Sequence, residues 1–168
     1  PFSVFHEIEA VYLLGDFGLK AADKGFVLVP PQPLQPGPWN AQGCPLYGDA
    51  VSYSASFDLT ASETWTVSLP KWYGSVAEVT VNGKSAGYIY RQPFRLDVSG
   101  LIVEGSNTVE VVVYGTLKNT MGPHHGNPPL GIAAPDMFDR VEDPGPPPGA
   151  QYSSVGYGLF EPFVVSAG

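Results

Sequence analysis

The sequence predicts an all-β fold, antiparallel strands packed as a sandwich or barrel, and three observations predict it. In VSYSASFDLT the apolar set Val51, Tyr53, Ala55, Phe57 and Leu59 alternates strictly with Ser52, Ser54, Ser56, Asp58 and Thr60, the period of a strand with one wet face rather than of a helix. The same parity recurs in WTVSL, VAEVTV, FRLDV and NTVEVVVY. Turn residues separate these runs at intervals too short for the crossover helices that a parallel sheet needs.

Taken in chain order, EIEAVYLLGDFG and GFVLV read as two strands that join the same sheets, connected across Asp16 to Lys24. PPQPLQPGPWN, residues 30–40, is expected to be an extended surface loop, because its prolines remove backbone donors. Between VAEVTV and the following run lies Asn82-Gly83, a strong signal for a two-residue hairpin turn whose central residues take positive φ. Gly87, shortly into the return strand, is placed for a bulge. PKWYGS reads as a turn between strands, and GLFEPFVV as the last strand. Residues 119–140 form a long loop of the kind that is often functional, in which only APDMFDRVE hints at a helical turn.

The chain has 168 residues, enough for one core that buries about 70% of the surface of the unfolded chain. Glycine and proline are abundant, 20 and 18 residues, yet a hydrophobic fraction of 43% supplies the drive to collapse against chain entropy. Acidic residues outnumber basic ones 16 to 8, a net charge of −8 with no basic cluster, which argues against nucleic acid as a partner. No apolar run reaches the roughly 18 to 20 residues that cross a bilayer, so no membrane partner is expected. PFSVFHEIEA lacks the basic start and apolar stretch of a signal peptide, and the chain opens on Pro1. The expectation is a single module, residues 1–168, cut from a longer secreted or periplasmic protein. Cys44 stands alone, which excludes an internal disulfide and a multi-cysteine metal site, and it reads as a half-buried loop thiol.

Four blocks carry a resemblance: YLLGDFG (12–18), QGCPLYGDAVSYSASFDL (42–59), VAEVTVNGKSAGYIYRQPFRLDVSGLIVEGSNTVEVVVYGTLKN (76–119) and YGLFEPFVV (157–165). In this order they resemble the galactose-binding-like β-sandwich, a jelly roll, that accompanies family-two glycoside hydrolases and α-L-rhamnosidase-like enzymes. The resemblance implies a noncatalytic accessory module, with the catalytic carboxylates on a separate, larger domain. The two proline-rich insertions and the loop with His124-His125 depart from that pattern.

Proteins grip sugars by stacking an aromatic ring on the apolar ring face and hydrogen-bonding the hydroxyls. The candidates are Trp39, in the proline-rich loop; Trp72 and Tyr73, adjacent rings in a turn; Tyr88, Tyr90 and Arg91, on the hairpin's return strand and at its end; and Asn119, His124 and His125. Each has a structural alternative. Trp39 can pack over a proline, Tyr88 and Tyr90 share a strand face and can pack, Arg91 can pair with an acid, and a loop histidine can simply hydrogen-bond. Trp65 alternates with Val67 and Leu69 and reads as core. Glycoside hydrolysis needs two carboxylates about 5 to 9.5 Å apart. Asp136, Asp139, Glu142 and Asp143 are dense but equally explained by solvation, and Glu7 and Glu9 would line one strand face. Structural calcium is a possibility, with Asp16, Asp49 and Glu161 as donors, though no EF-hand spacing occurs, and phosphate-cradling and GxSxG motifs are absent. The expected function is a noncatalytic carbohydrate-binding module that targets its parent enzyme to plant-type glycans. The alternatives are a sandwich that braces a catalytic domain without binding sugar, and a small glycosidase or lyase using His124 or His125 with an acid.

Overall fold

A computed structural model describes residues 13–61, 63–122, 124 and 146–168. The described elements are β1 Gly18–Ala21, β2 Phe26–Val29, β3 Ala50–Leu59, β4 Trp65–Ser68, β5 Trp72–Tyr73, β6 Val76–Val81, β7 Lys84–Ile89, β8 Arg95–Asp97, β9 Gly105–Tyr114, the one-turn helix α1 Lys118–Met121, β10 Gly158–Leu159 and β11 Val164–Ala167. Short 3-10 turns occupy Trp39–Gln42, Ser99–Leu101 and Gly149–Gln151.

The fold is an all-β sandwich. One layer is the four-stranded sheet β3-β9-β6-β7 and the other the three-stranded sheet β11-β4-β8, every pairing antiparallel. The alternation read in VSYSASFDLT sets the inner face. β3 pairs along its whole length with β9, and Val109, Val111 and Val113 of β9 and Ala77, Val79 and Val81 of β6 are buried. Opposite them, Val165, Val67 and Leu96 form a row across the second sheet and pack into the same core cluster. Trp65 packs against that cluster with its indole N–H donated to the Thr60 carbonyl at 2.9 Å.

Asn82 and Gly83 both take positive φ, 52° and 74°, and close the β6-β7 hairpin. The register shifts between Val79 and Thr80, which pair with Gly87 and Ser85 and leave Ala86 as the extra residue of a bulge. Gly87 holds the φ of 132° that this bulge imposes. The buried amide of Asn107 locks the turn to β9: its Oδ1 accepts from Val103 N and Asn82 Nδ2, and its Nδ2 donates to the carbonyls of Val103 and Gly105, all within 2.8–2.9 Å.

Several expectations are corrected. β1 begins at Gly18, inside the segment expected to be a connection, and β1-β2 is a separate two-stranded hairpin rather than part of either main sheet. The interior of PKWYGS is a two-residue strand, β5, paired with β10, and GLFEPFVV splits into β10 and the start of β11. The proline-rich segment is not wholly a surface loop. Its end turns inward, with Gly37 N bonded to Leu159 O at 2.7 Å and Trp39 N to Tyr157 O at 2.9 Å. The turn expected in APDMFDRVE lies outside the described residues.

Candidate functional site

The outer face of the four-stranded sheet is built by strand parity. With Ala77, Val79 and Val81 turned inward, Glu78 and Thr80 of β6 turn outward; so do Ser52, Ser54, Ser56 and Asp58 of β3, and Thr108, Glu110, Val112 and Tyr114 of β9. The bulge brings Tyr88 of β7 directly opposite Glu78, while Val76, one step along that face, sits opposite Tyr114. Two phenols therefore flank one carboxylate. The Tyr114 hydroxyl donates to Glu78 Oε2 at 3.2 Å and Ser85 Oγ to Oε1 at 3.5 Å. Hydrogen bonding to Glu78 pushes the Tyr114 hydroxyl above its ordinary range, aided by nearby negative charge, so it remains a donor at neutral pH. One step along the sheet, Glu110 accepts from Ser52 and, at 3.3 Å, from Thr80. Tyr88 is 54% exposed. Of the two roles open to Tyr88, ligand contact and packing, the structure disfavours packing: its ring lies on the wet side of the sheet.

The sequence-predicted residues are not one constellation. Trp39 is fully buried, its Nε1 donating to the Tyr53 hydroxyl at 2.7 Å, and it lies edge-on to Tyr47 with centroids 5.9 Å apart. An indole enclosed in this way presents no face to a sugar, so Trp39 is a core residue; the inward turn of its loop, made by long-range backbone pairing, is the reason. Asn119 is also buried, its Nδ2 donating to the carbonyls of Tyr47 (3.1 Å) and Val155 (2.8 Å) and its Oδ1 accepting from Val155 N (2.7 Å). It ties two loops to α1 and faces no solvent. Trp72 is half-buried, edge-on to Phe94 at 5.4 Å, and among the described residues its buried Nε1 has no hydrogen-bond partner.

Tyr73 and Tyr90 are available, 55% and 62% exposed. Tyr73 stacks parallel on the buried Tyr157 with centroids 5.8 Å apart, and the Arg91 guanidinium lies 5.7 Å from the Tyr90 ring centroid. His124 donates from Nε2 to the Asn119 carbonyl at 2.7 Å and stacks on Tyr152, so its ring closes the end of α1. His125, Glu7, Glu9, Asp136, Asp139, Glu142 and Asp143 lie outside the described residues.

Two adjoining grooves border the N-terminal hairpin. One, about 630 Å³, runs past Lys20, Phe26, Asn40, Gln42, Tyr152 and Ser154. The other, about 730 Å³, is lined by Asp16, Phe17, Cys44 and Tyr47 among others. Asn40 and Gln42 turn their amides back onto Ser154, Gln35 and Pro38. Burial pushes the Cys44 thiol above its ordinary value, which lowers its thiolate fraction and suits a structural thiol. Among the described residues no three His, Cys, Asp or Glu side chains gather to hold a metal ion, so Asp16, Asp49 and Glu161 do not form one carboxylate shell. None of the described helices is long and apolar enough to cross a membrane.

Glu78, Glu110 and Tyr114 were not singled out by sequence reasoning. The signal was present in part: Asn82-Gly83 fixes the pairing of β6 with β7, and a bulge at Gly87 then puts Tyr88 opposite Glu78. The neighbouring position of β9 is a long-range pairing that no local pattern reveals.

No protein-family model matches the chain, and no curated protein sequence does. Among solved structures, a rhamnosidase from Novosphingobium sp. PP1Y superposes over 97% of this chain with a TM-score of 0.54 at 18% identity. A β-D-mannosidase from Dictyoglomus thermophilum aligns over 95% at 18% identity with a TM-score of 0.42, and a family-two β-galacturonidase from Eisenbergiella tayi over 64% at 24% identity with a TM-score of 0.41. The chain spans only 16%, 23% and 18% of those three proteins. It thus has the fold of a β-domain found within a glycoside hydrolase chain, the rhamnosidase.

Proposed function

We propose that this chain is a noncatalytic, carbohydrate-binding accessory sandwich that holds a secreted or periplasmic polysaccharide-degrading enzyme on plant-type glycans. The observation that carries this reading is the outer face of the β3-β9-β6-β7 sheet, where the exposed Tyr88 ring and the half-buried Tyr114 stand beside carboxylates and short hydroxyl side chains. Such a surface supplies stacking area and hydrogen bonds without enclosing a substrate. The likeness to a sixth of a rhamnosidase supports an accessory size and fold. Targeting acts through effective concentration: an enzyme tethered at its substrate gains turnover from contacts that are each weak, on the order of micromolar to millimolar.

The test is a screen of the isolated chain against cell-wall polysaccharides for both retention and product release. Retention without released sugar is expected. Release of sugar by the chain alone would overturn the noncatalytic reading and favour the small glycosidase or lyase.

A second reading, a brace for a catalytic domain, is favoured by one observation. Leu13, Leu14, Val27 and Leu28, on and just before the β1-β2 hairpin, are all exposed, Leu14 to 96%. Exposed apolar side chains concentrated in this part of the chain suit burial against a neighbouring domain. A chain retained by no glycan would favour it.

A further inference from the structure

The outer sheet face offers groups suited both to seat a sugar and to select among sugars. Tyr88 and Glu78 are direct cross-strand partners, and Tyr114 reaches Glu78 from the next strand. We propose that the Tyr88-Glu78-Tyr114 surface is the glycan site, and that it takes a neutral sugar with adjacent free hydroxyls rather than a uronic acid. This inference rests on the reading of the chain as a glycan binder and assigns that binding a place and a ligand class.

The chemistry follows from what each group offers. A carboxylate is an acceptor with about four lone-pair sites. Tyr114 and Ser85 engage one on each oxygen of Glu78, which fixes the group and leaves acceptor capacity toward solvent. Two neighbouring hydroxyls of a sugar match the two oxygens of a carboxylate, and hydrogen bonds to an ionised acceptor are the stronger kind. The exposed Tyr88 ring supplies the apolar face on which a pyranose stacks. Glu110, held by Ser52 and Thr80, continues the row toward β3.

Charge decides the ligand class. Glu78, Glu110 and Asp58 share this face, and among the described residues neither Glu78 nor Glu110 is ion-paired. Of the cations along this hairpin, Lys84 opens β7 and Arg91 stands two residues beyond its end, laid against Tyr90. An anionic sugar would meet like charge here, a repulsive element that gives specificity. The same carboxylates disfavour a protein partner on this face, because burying unpaired charge in an interface carries a large desolvation cost.

The experiment is affinity electrophoresis of the chain in gels containing galactomannan or xyloglucan, both neutral, or polygalacturonate. The variants are Tyr88→Ala, Tyr88→Phe and Glu78→Gln, each with its melting temperature measured. Wild type should be retarded by a neutral polymer and not by polygalacturonate. Tyr88→Ala and Glu78→Gln should each weaken retardation by about tenfold or more, and Tyr88→Phe, which keeps the ring, should preserve it. Wild-type retardation that all variants match would overturn this site and leave the glycan-binding reading intact. Stronger retardation by polygalacturonate would overturn the ligand class alone. No retardation by any polymer would overturn the site together with the reading it rests on.

Discussion

Single polar side chains hold the loops of this sandwich in place, and their contributions can be separated by mutation. Asn119 satisfies three backbone groups, the carbonyls of Tyr47 and Val155 and the amide of Val155, from a fully buried position. Asn119→Ala strands those groups away from water, and the expected loss is about 2 to 4 kcal/mol, read as a lower urea midpoint. A loss under about 0.5 kcal/mol would mean that the loops hold themselves. Asp97 acts differently because it titrates. Its Oδ1 accepts from the Ser99 hydroxyl at 2.6 Å and the Ser99 amide at 2.9 Å, and these bonds, the side-chain one foremost, hold its carboxyl below the ordinary 3.8. A carboxyl whose value is depressed on folding stabilises the protein above its unfolded value, and that contribution is lost as pH falls through the folded value. Asp97→Asn is therefore expected to be less stable than wild type at pH 7, with the gap narrowing below about pH 4 in urea titrations. A gap that stays constant with pH would contradict this role.

At the scale of elements, the β6-β7 hairpin depends on backbone geometry more than on packing. A Cβ added at Gly83 meets nothing within 4 Å, so Gly83→Ala tests conformation alone: φ is 74°, and the expected cost is about 1 to 2 kcal/mol. Gly100, equally open but with ordinary φ, is the control, and Gly100→Ala is expected to be neutral or slightly stabilising. Equal effects at the two sites would show that the turn tolerates an L-residue. This hairpin was legible in the sequence because its signals are local: two β-runs, a positive-φ dipeptide between them and a glycine where the bulge falls. The long strands were legible for the same reason, since alternation in VSYSASFDLT is a property of ten consecutive residues. Elements made by distant partners were not. The strands β5 and β10 are two residues each and exist only because they pair with one another, and β1-β2 stands apart from the main sheets for want of pairing that no local pattern encodes. Trp39 is the sharpest case, because a tryptophan among prolines looks exposed until the chain from Tyr157 to Leu159 runs alongside and encloses it.

For the whole molecule, the same parity that fills the core also builds the surface to which binding is assigned. Every inward Val of β6 and β9 implies an outward neighbour, and those neighbours include Glu78, Glu110 and Tyr114. Strand alternation marks which residues face outward, but not which of them meet, because the face spans β6, β7 and β9. This sandwich is proposed to bind glycan on a sheet face and to perform no chemistry on it. One measurement addresses both halves: an amide-resolved NMR titration of the labelled chain with a neutral oligosaccharide, following the sugar's anomeric protons in the same tube. Glycan binding on this face without chemistry predicts saturable shifts confined to outward positions of β6, β7 and β9, with the anomeric signals unchanged over days. New reducing-end signals, or amides that do not move at saturating sugar, would contradict it.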